Sequence, residues 1–290
     1  MADQVLVTLD GAVHDADVPF LHADDLAAVR GDGVFETLLV RDGAARTVEL
    51  HLARLTTSAS ALDLPRPDLD AWRSAIAVAV GEWDSGREGV LRLVLSRGRE
   101  GAGEPTAFLT VGPVAGRVAA ARRDGISVCT LERGFSVDVT ETAPWLLHGA
   151  KTLSYAMNMA ALRHAHGLGV DDVIFTSSEG LVLEGPRSTV LISRGRTLVT
   201  PPVEHGILPG TTQQALFEVA GAHRFRCETA PLRPADLIAA DGIWLLSSVT
   251  LAARVHTLDG LALPVPEIAD ELSGLVDLAV DTVGVEEDAA

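Results

Sequence analysis

The chain is short of lysine, tyrosine and cysteine, and each shortage narrows what it can be. Of its 23 basic residues, 22 are arginine and only Lys151 is lysine. Tyr155 is the sole tyrosine, and Cys129 and Cys227 are the only cysteines. Two isolated cysteines do not make a disulfide framework or a zinc site, so no metal is expected. No apolar run reaches the length of a membrane span, and Met1-Ala2-Asp3-Gln4 lacks the basic start and apolar core of a signal peptide. The expected location is the cytoplasm, with reduced thiols. Positive charge is scarce as well: 40 acidic residues against 23 basic ones give a formal net charge of −17. That field repels nucleic acid and anionic membranes, so neither is an expected partner.

What is present is a core-forming composition, 47% hydrophobic and 22% charged, in a chain of 290 residues. This suits one large domain or two ordinary ones. Strand patterns fall at 5–9, 33–40, 89–97 and 107–114, with turns at Asp10-Gly11 and Asp42-Gly43. Helical spacing covers 48–62 and 69–80. Beyond a linker at 115–121 the pattern changes. Strands are expected at 126–131, 173–176, 189–192 and 242–247, and helices at 154–166 and 211–220, before an acidic, frayed tail from 284. The reading is a mixed α+β chain in two lobes, a small domain 1–114 and a larger one 122–290.

Lys151 is the residue with the most distinctive chemistry. Arginine can replace lysine as a surface cation, but it cannot lose its proton near neutral pH and attack a carbonyl. A lysine amine can, because its proton affinity falls readily on burial. A sole lysine in Ala150-Lys151-Thr152-Leu153-Ser154-Tyr155 is thus a candidate for Schiff-base chemistry, with drift of composition toward arginine as the competing account.

Three further patterns supply what such an amine would need. Glu184 ends the apolar run Leu181-Val182-Leu183 beside Gly185-Pro186, where a carboxylate can hold a ring nitrogen protonated. Leu208-Pro209-Gly210-Thr211-Thr212 is a turn into a helix whose first N–H groups and hydroxyls suit a phosphate. Ser247-Ser248-Val249-Thr250 places hydroxyls directly after a buried strand. A solvated turn residue, a threonine cap and an ordinary turn are the plain alternatives, one by one. Together the four patterns describe a pyridoxal phosphate site.

Their order and spacing resemble the class IV aminotransferases, the fold-type IV pyridoxal phosphate enzymes. Their members include branched-chain and D-amino acid aminotransferases and 4-amino-4-deoxychorismate lyase. The resemblance runs from about Leu21 to Gly260 through Gly31-Asp32-Gly33-Val34-Phe35-Glu36, His51-Leu52-Ala53-Arg54-Leu55, the Lys151 segment, Val182-Leu183-Glu184-Gly185 and Leu208-Pro209-Gly210-Thr211-Thr212. It implies that Lys151 forms the Schiff base and shuttles the proton. Glu184 then pairs with the pyridinium nitrogen, and Tyr155 with the phenolic oxygen. Arg54, Thr211, Thr212, Ser248 and Val249 hold the phosphate end. It also implies a homodimer in which 21–25 with Arg30 forms a loop lent to the partner. The chain departs from the family pattern at Gln213, Thr189 and Arg254, which leaves cofactor binding intact but not a simple transfer of substrate contacts.

For the substrate, Arg30, Phe35, Arg92 and Arg97 are the candidates. Arg92, Arg97 and Arg99 gather on one strand and loop, and arginine forks match carboxylates. A substrate with two carboxylates would need such compensation in so acidic a chain. The expected reaction is therefore lysis of 4-amino-4-deoxychorismate to 4-aminobenzoate and pyruvate. Transamination of D-amino or branched-chain amino acids with a 2-oxo acid is the alternative. A solvated charged loop is the competing account of Arg97 and Arg99. A non-catalytic relative that merely binds the cofactor would need neither Lys151 nor Glu184.

Overall fold

Alternating apolar residues, interrupted by Asp-Gly turns, build an antiparallel sheet from the first third of the sequence. The computed structural model describes residues 4–84 and 86–284, so the expected frayed tail lies outside the described residues apart from Gly284. Contacts divide the chain into two units, each described by itself. One comprises the described residues through 115 with Ala150–Tyr155, and the other Gly116–Gly149 with Ala156–Val283. Lys151 therefore belongs with the first unit, although it lies well inside the sequence range expected for the second.

In the first unit the elements are β1 (Val5–Thr8), β2 (Val13–His14), α1 (Leu26–Arg30), β3 (Gly33–Arg41), β4 (Ala44–Ala45), α2 (Val48–Ala61), α3 (Leu69–Gly81), β5 (Gly89–Ser96) and β6 (Thr106–Pro113). The sheet order is β2-β1-β6-β5-β3-β4, antiparallel at every pairing. Helices α2 and α3 cover it. Leu52, Leu55 and Ala59 of the first, and Trp72, Ala75 and Ala79 of the second, are fully buried. A buried leucine contributes about 1.5–3 kcal/mol, so this face fixes where α2 sits.

The second unit holds α4 (Gly116–Asp124), β7 (Ile126–Glu132), α5 (Val139–Thr142), α6 (Ala156–Gly167), β8 (Asp172–Thr176), β9 (Thr189–Arg194), β10 (Thr197–Thr200), α7 (Thr211–Ala220), β11 (Arg226–Thr229), α8 (Pro234–Ala239), β12 (Gly242–Ser247), β13 (Leu251–Leu258), β14 (Leu261–Ala262) and α9 (Ala269–Thr282). Its main path is β11-β10-β9-β12-β13-β7-β8, with β14 beside β13. The β13–β7 and β7–β8 pairings are parallel, and the β9–β12 and β12–β13 pairings antiparallel. Val190, Ile192, Ile243 and Leu245 form the middle of its core.

One expectation is corrected. The stretch 115–121 is not a loose linker, because Gly116–Asp124 is helix α4, built on the strong helix formers Arg117, Ala119, Ala120 and Ala121. A helix over 269–282 was not expected from the sequence. Leu272, Leu275, Val276, Ala279 and Val280 follow the helical period and are buried on one face of α9. No helix among the described residues is long and apolar enough to cross a membrane.

Candidate active site

Lys151 is set in place by its main chain. Its carbonyl accepts the Phe35 N–H at 3.0 Å, and its own N–H reaches Ser58 Oγ on α2 at 3.0 Å. Leu153 N–H donates to Gly33 O at 2.8 Å, and Thr152 bridges Val34. The segment thus lies along the start of β3. Only glycine fits at 33, since a Cβ there would stand 2.7 Å from the Leu153 side chain and 2.6 Å from Leu95 O. The Lys151 amine lies 4.5 Å from the Phe35 ring centre and 5.7 Å from that of Tyr155, the two rings meeting edge-on at 5.3 Å. Phe35 and Tyr155, both sequence candidates, therefore frame the amine.

On the neighbouring helix, Arg54 is held by Glu36 through a fork, Nε to Oε1 at 2.8 Å and Nη2 to Oε2 at 2.7 Å. His51 Nδ1 lies 2.6 Å from Glu36 Oε2, and both side chains are fully buried. Burial pushes the Glu36 carboxyl up, but the charge and hydrogen bonds of Arg54, aided by the hydrogen bond from His51, outweigh it and hold the carboxyl well below its ordinary value. Burial also drives His51 below its ordinary value, against the pull of Glu36. The result is an ionised carboxylate, able only to accept, facing a neutral imidazole whose Nδ1 carries the proton.

The substrate candidates divide. Arg97 donates to Asp32 at 2.8 and 3.2 Å, to Leu62 O at 2.6 Å and to Asp63 O at 3.3 Å. Its fork is occupied by the protein itself, so a carboxylate of the substrate would have to displace these partners to reach it. Arg99 is likewise clasped by Asp24. Arg92 is exposed on β5 opposite Thr37 and Thr110, on the sheet face that bears Phe35, while Arg30 is exposed at the end of α1. Neither side chain makes a hydrogen bond or ion pair among the described residues. The Arg30-Gly31 turn reaches the Lys151 segment, for Ser154 Oγ donates to Gly31 O at 3.1 Å.

In the second unit, Glu184 is gripped at both oxygens. Arg133 Nη1 donates to Oε1 at 2.7 Å and Leu208 N–H to Oε2 at 3.0 Å. Arg133 in turn lies 5.2 Å from the Phe135 ring centre and 5.3 Å from that of Phe175. Thr211 and Thr212 are buried at the start of α7, whose N-cap Gly210 offers no side chain to the first N–H groups. A Cβ at Gly210 would fall 2.2 Å from Thr189 Oγ1, so the turn needs glycine. Ser248 and Val249 occupy the turn from β12 to β13, and Arg122 of α4 donates to Val249 O. Asn158 Nδ2 binds Pro186 O at 2.6 Å, steadying the loop after Glu184.

Each unit by itself carries groups that fit pyridoxal phosphate: in the first an aromatic-framed lysine amine and an oriented arginine, in the second a fixed carboxylate and a glycine-capped helix start with two buried hydroxyls. Glu36 and His51 were visible in the sequence only as members of matching stretches. Ser58, Arg133 and Arg122 were not singled out, and a buried polar residue amid an apolar helical face was the one available sign for Ser58.

The comparisons agree with this chemistry. The model of the family described as amino-transferase class IV matches residues 33–258. Over 285 residues the chain is 58% identical to a Mycobacterium tuberculosis protein named bifunctional aminodeoxychorismate lyase / D-amino acid transaminase, covering 95% of this chain and 99% of that one. A hypothetical aminotransferase from Mycobacterium tuberculosis in its PLP-bound form superposes with a TM-score of 0.93 at 59% identity, over 96% and 98% of the two chains. A fold IV-transaminase from Curtobacterium pusillum gives 0.91 at 39% identity, over 97% and 99%. The chain belongs to the class IV aminotransferases and is a pyridoxal phosphate-dependent enzyme of fold-type IV.

Proposed function

We propose that the protein cleaves 4-amino-4-deoxychorismate to 4-aminobenzoate and pyruvate, and also transfers amino groups between D-amino acids and 2-oxo acids. The carrying observation is the 58% identity, along nearly the whole chain, with a protein named for both activities. The Lys151 cluster is compatible with either. Bound pyridoxal phosphate supplies an electron sink next to the carbon that bears the substrate's amino group.

The residues of the chain do the remaining work. Lys151 Nζ would hold the cofactor and, once freed by the substrate amine, would take the proton from the amino-bearing carbon. In lysis the same amine would return a proton to the departing enolpyruvate, which becomes pyruvate. In transamination it would carry the proton to its new carbon. Phe35 and Tyr155 keep water from the amine. In the first unit Arg54, aimed by Glu36, would bind a phosphate. In the second unit Thr211, Thr212 and the Ser248-Val249 turn offer hydroxyls and N–H groups suited to one, and Glu184 would accept a ring N–H. Arg30 and Arg92 match the two carboxylates of the lyase substrate. We place the enzyme in the cytoplasm as a homodimer that supplies 4-aminobenzoate for folate biosynthesis.

The test is product analysis. With 4-amino-4-deoxychorismate alone, pyruvate and 4-aminobenzoate should appear in equal amounts without any 2-oxo acid. With D-alanine and 2-oxoglutarate, pyruvate should appear only when both are present. Transamination without lysis would remove the first activity, and sedimentation as an active monomer would remove the homodimer.

A further inference from the structure

Helix α2 carries three hydroxyls in succession, and the third behaves differently. Thr56 donates to Leu52 O at 2.9 Å and Thr57 to Ala53 O at 3.2 Å, so each is satisfied by its own helix. Ser58 is 1% exposed, and its Oγ accepts the Lys151 N–H across 93 positions of sequence. It is the contact from α2 to the Lys151 main chain, while β3 receives the Lys151 carbonyl through Phe35 N–H. Ser58 also stands four residues after Arg54 and seven after His51, on the helix face that binds Glu36. A rigid helix rises about 6 Å over four residues, so the spacing from the arginine to the serine is set by α2 itself.

We propose that Ser58 is a positioning residue for Lys151, acting through the lysine main chain to fix the amine at a set height along α2 relative to the Arg54 guanidinium. The proposal rests on the reading that Lys151 bonds the cofactor and Arg54 its phosphate. Without the hydroxyl, the Lys151 N–H loses its acceptor and the segment is held only on its β3 side. Phosphate binding through Arg54 is then retained while the amine meets the cofactor less often in the right geometry. An ångström-scale misplacement of a reacting group is enough to cost up to about a hundredfold.

The experiment adds pyridoxal phosphate to cofactor-free protein and follows visible absorbance, borohydride trapping at Lys151 and turnover. Ser58→Ala should slow covalent loading and kcat by on the order of tenfold, with KM and cofactor affinity within about threefold of wild type. Ser58→Thr, which keeps the hydroxyl, should recover most of the loss. Ser58→Cys, close in shape but a weak acceptor, should fall between and serves if the alanine variant does not fold. Melting of the cofactor-free variants separates positioning from damage. Wild-type loading in Ser58→Ala overturns the proposal, as does a loss that follows the fall in melting temperature across the variants. Lys151→Ala and Arg54→Ala test the underlying reading separately. If Lys151→Ala still traps cofactor, or Arg54→Ala keeps full affinity, that reading fails whatever Ser58 does.

Discussion

The two units hold their functional carboxylates by different means. Glu36 in the first is wholly buried between a guanidinium and an imidazole, a cluster of side chains from β3 and α2. Glu184 in the second is part-buried and divides its oxygens between one guanidinium and one backbone N–H. The first arrangement makes a buried charge depend on two partners, so removing any one leaves the others uncompensated. The second fixes a carboxylate with less at stake in folding and keeps acceptor capacity for a ring nitrogen. Glu36 belongs to the scaffold that aims Arg54, and Glu184 keeps the freedom that the proposed role in the chemistry requires.

The strongest way to break this division is at Lys151. Lys151→Ala should lower turnover by at least about a thousandfold, since both the covalent bond and the proton transfer are lost. Lys151→Arg should fail nearly as far, because its guanidinium stays protonated. The cofactor-free melting temperature should hardly move. Turnover near wild type in either variant would remove Lys151 from the chemistry.

Glu36 is expected to behave in the opposite way, through the fold first. Glu36→Gln breaks a buried ion pair and should cost about 3–5 kcal/mol in denaturant unfolding of the cofactor-free protein. The pH dependence has one sign. Both Glu36 and His51 have lowered values in the folded protein, so the unfolded chain binds their protons more readily and stability rises with pH. The His51 contribution is complete above its ordinary 6.5 and is lost as pH falls toward its folded value. The Glu36 contribution is complete above 4.5 and is lost further down. Unfolding midpoints that do not change as pH falls below 6.5 would contradict the buried neutral imidazole.

How far all this was legible depends on whether a residue's type reveals its task. Lys151 stood out because it is the only lysine and few side chains can form an imine, whereas Glu184, one of 40 acidic residues, was picked out only by its place among the matching motifs. Most long strands and helices of the first unit followed from period and turn residues alone. Arg97 and Arg92 were indistinguishable in sequence. They differ because Asp32 lies 65 positions from Arg97 yet meets it in space. Ser58, Arg133 and Leu208 N–H were hidden for the same reason, their partners lying 93, 51 and 24 positions away. A backbone donor such as Leu208 has no residue-type signature at all. The short strands β10 and β11, four residues each, are too brief for a period to declare itself.

In the second unit, Glu184→Gln should bind cofactor but slow turnover by roughly tenfold to a hundredfold. A hydrogen bond to a charged group is worth about 1.5–3 kcal/mol. Arg133→Met should act in the same direction and less strongly, because Leu208 N–H still holds one oxygen. In the Glu184→Gln background the Arg133 substitution should add little, since the two act through one carboxylate. Additive losses in the double variant would mean that Arg133 has a task of its own.

The smallest effects separate the arginines of the first unit. Arg99 and Asp24 form an exposed pair, 49% and 44% accessible, and solvent screening leaves such pairs little net effect. Arg99→Ala should leave both activities within about threefold of wild type. The Arg92 side chain has no hydrogen-bond or ion-pair partner among the described residues, so Arg92→Ala should leave melting unchanged. It should raise KM for 4-amino-4-deoxychorismate by about tenfold, the worth of one charge-assisted contact. Because D-alanine carries a single carboxylate, its KM should move less if Arg92 serves the second one. Equal shifts for both substrates would assign Arg92 to the shared carboxylate, and no shift for either would return it to the solvated surface.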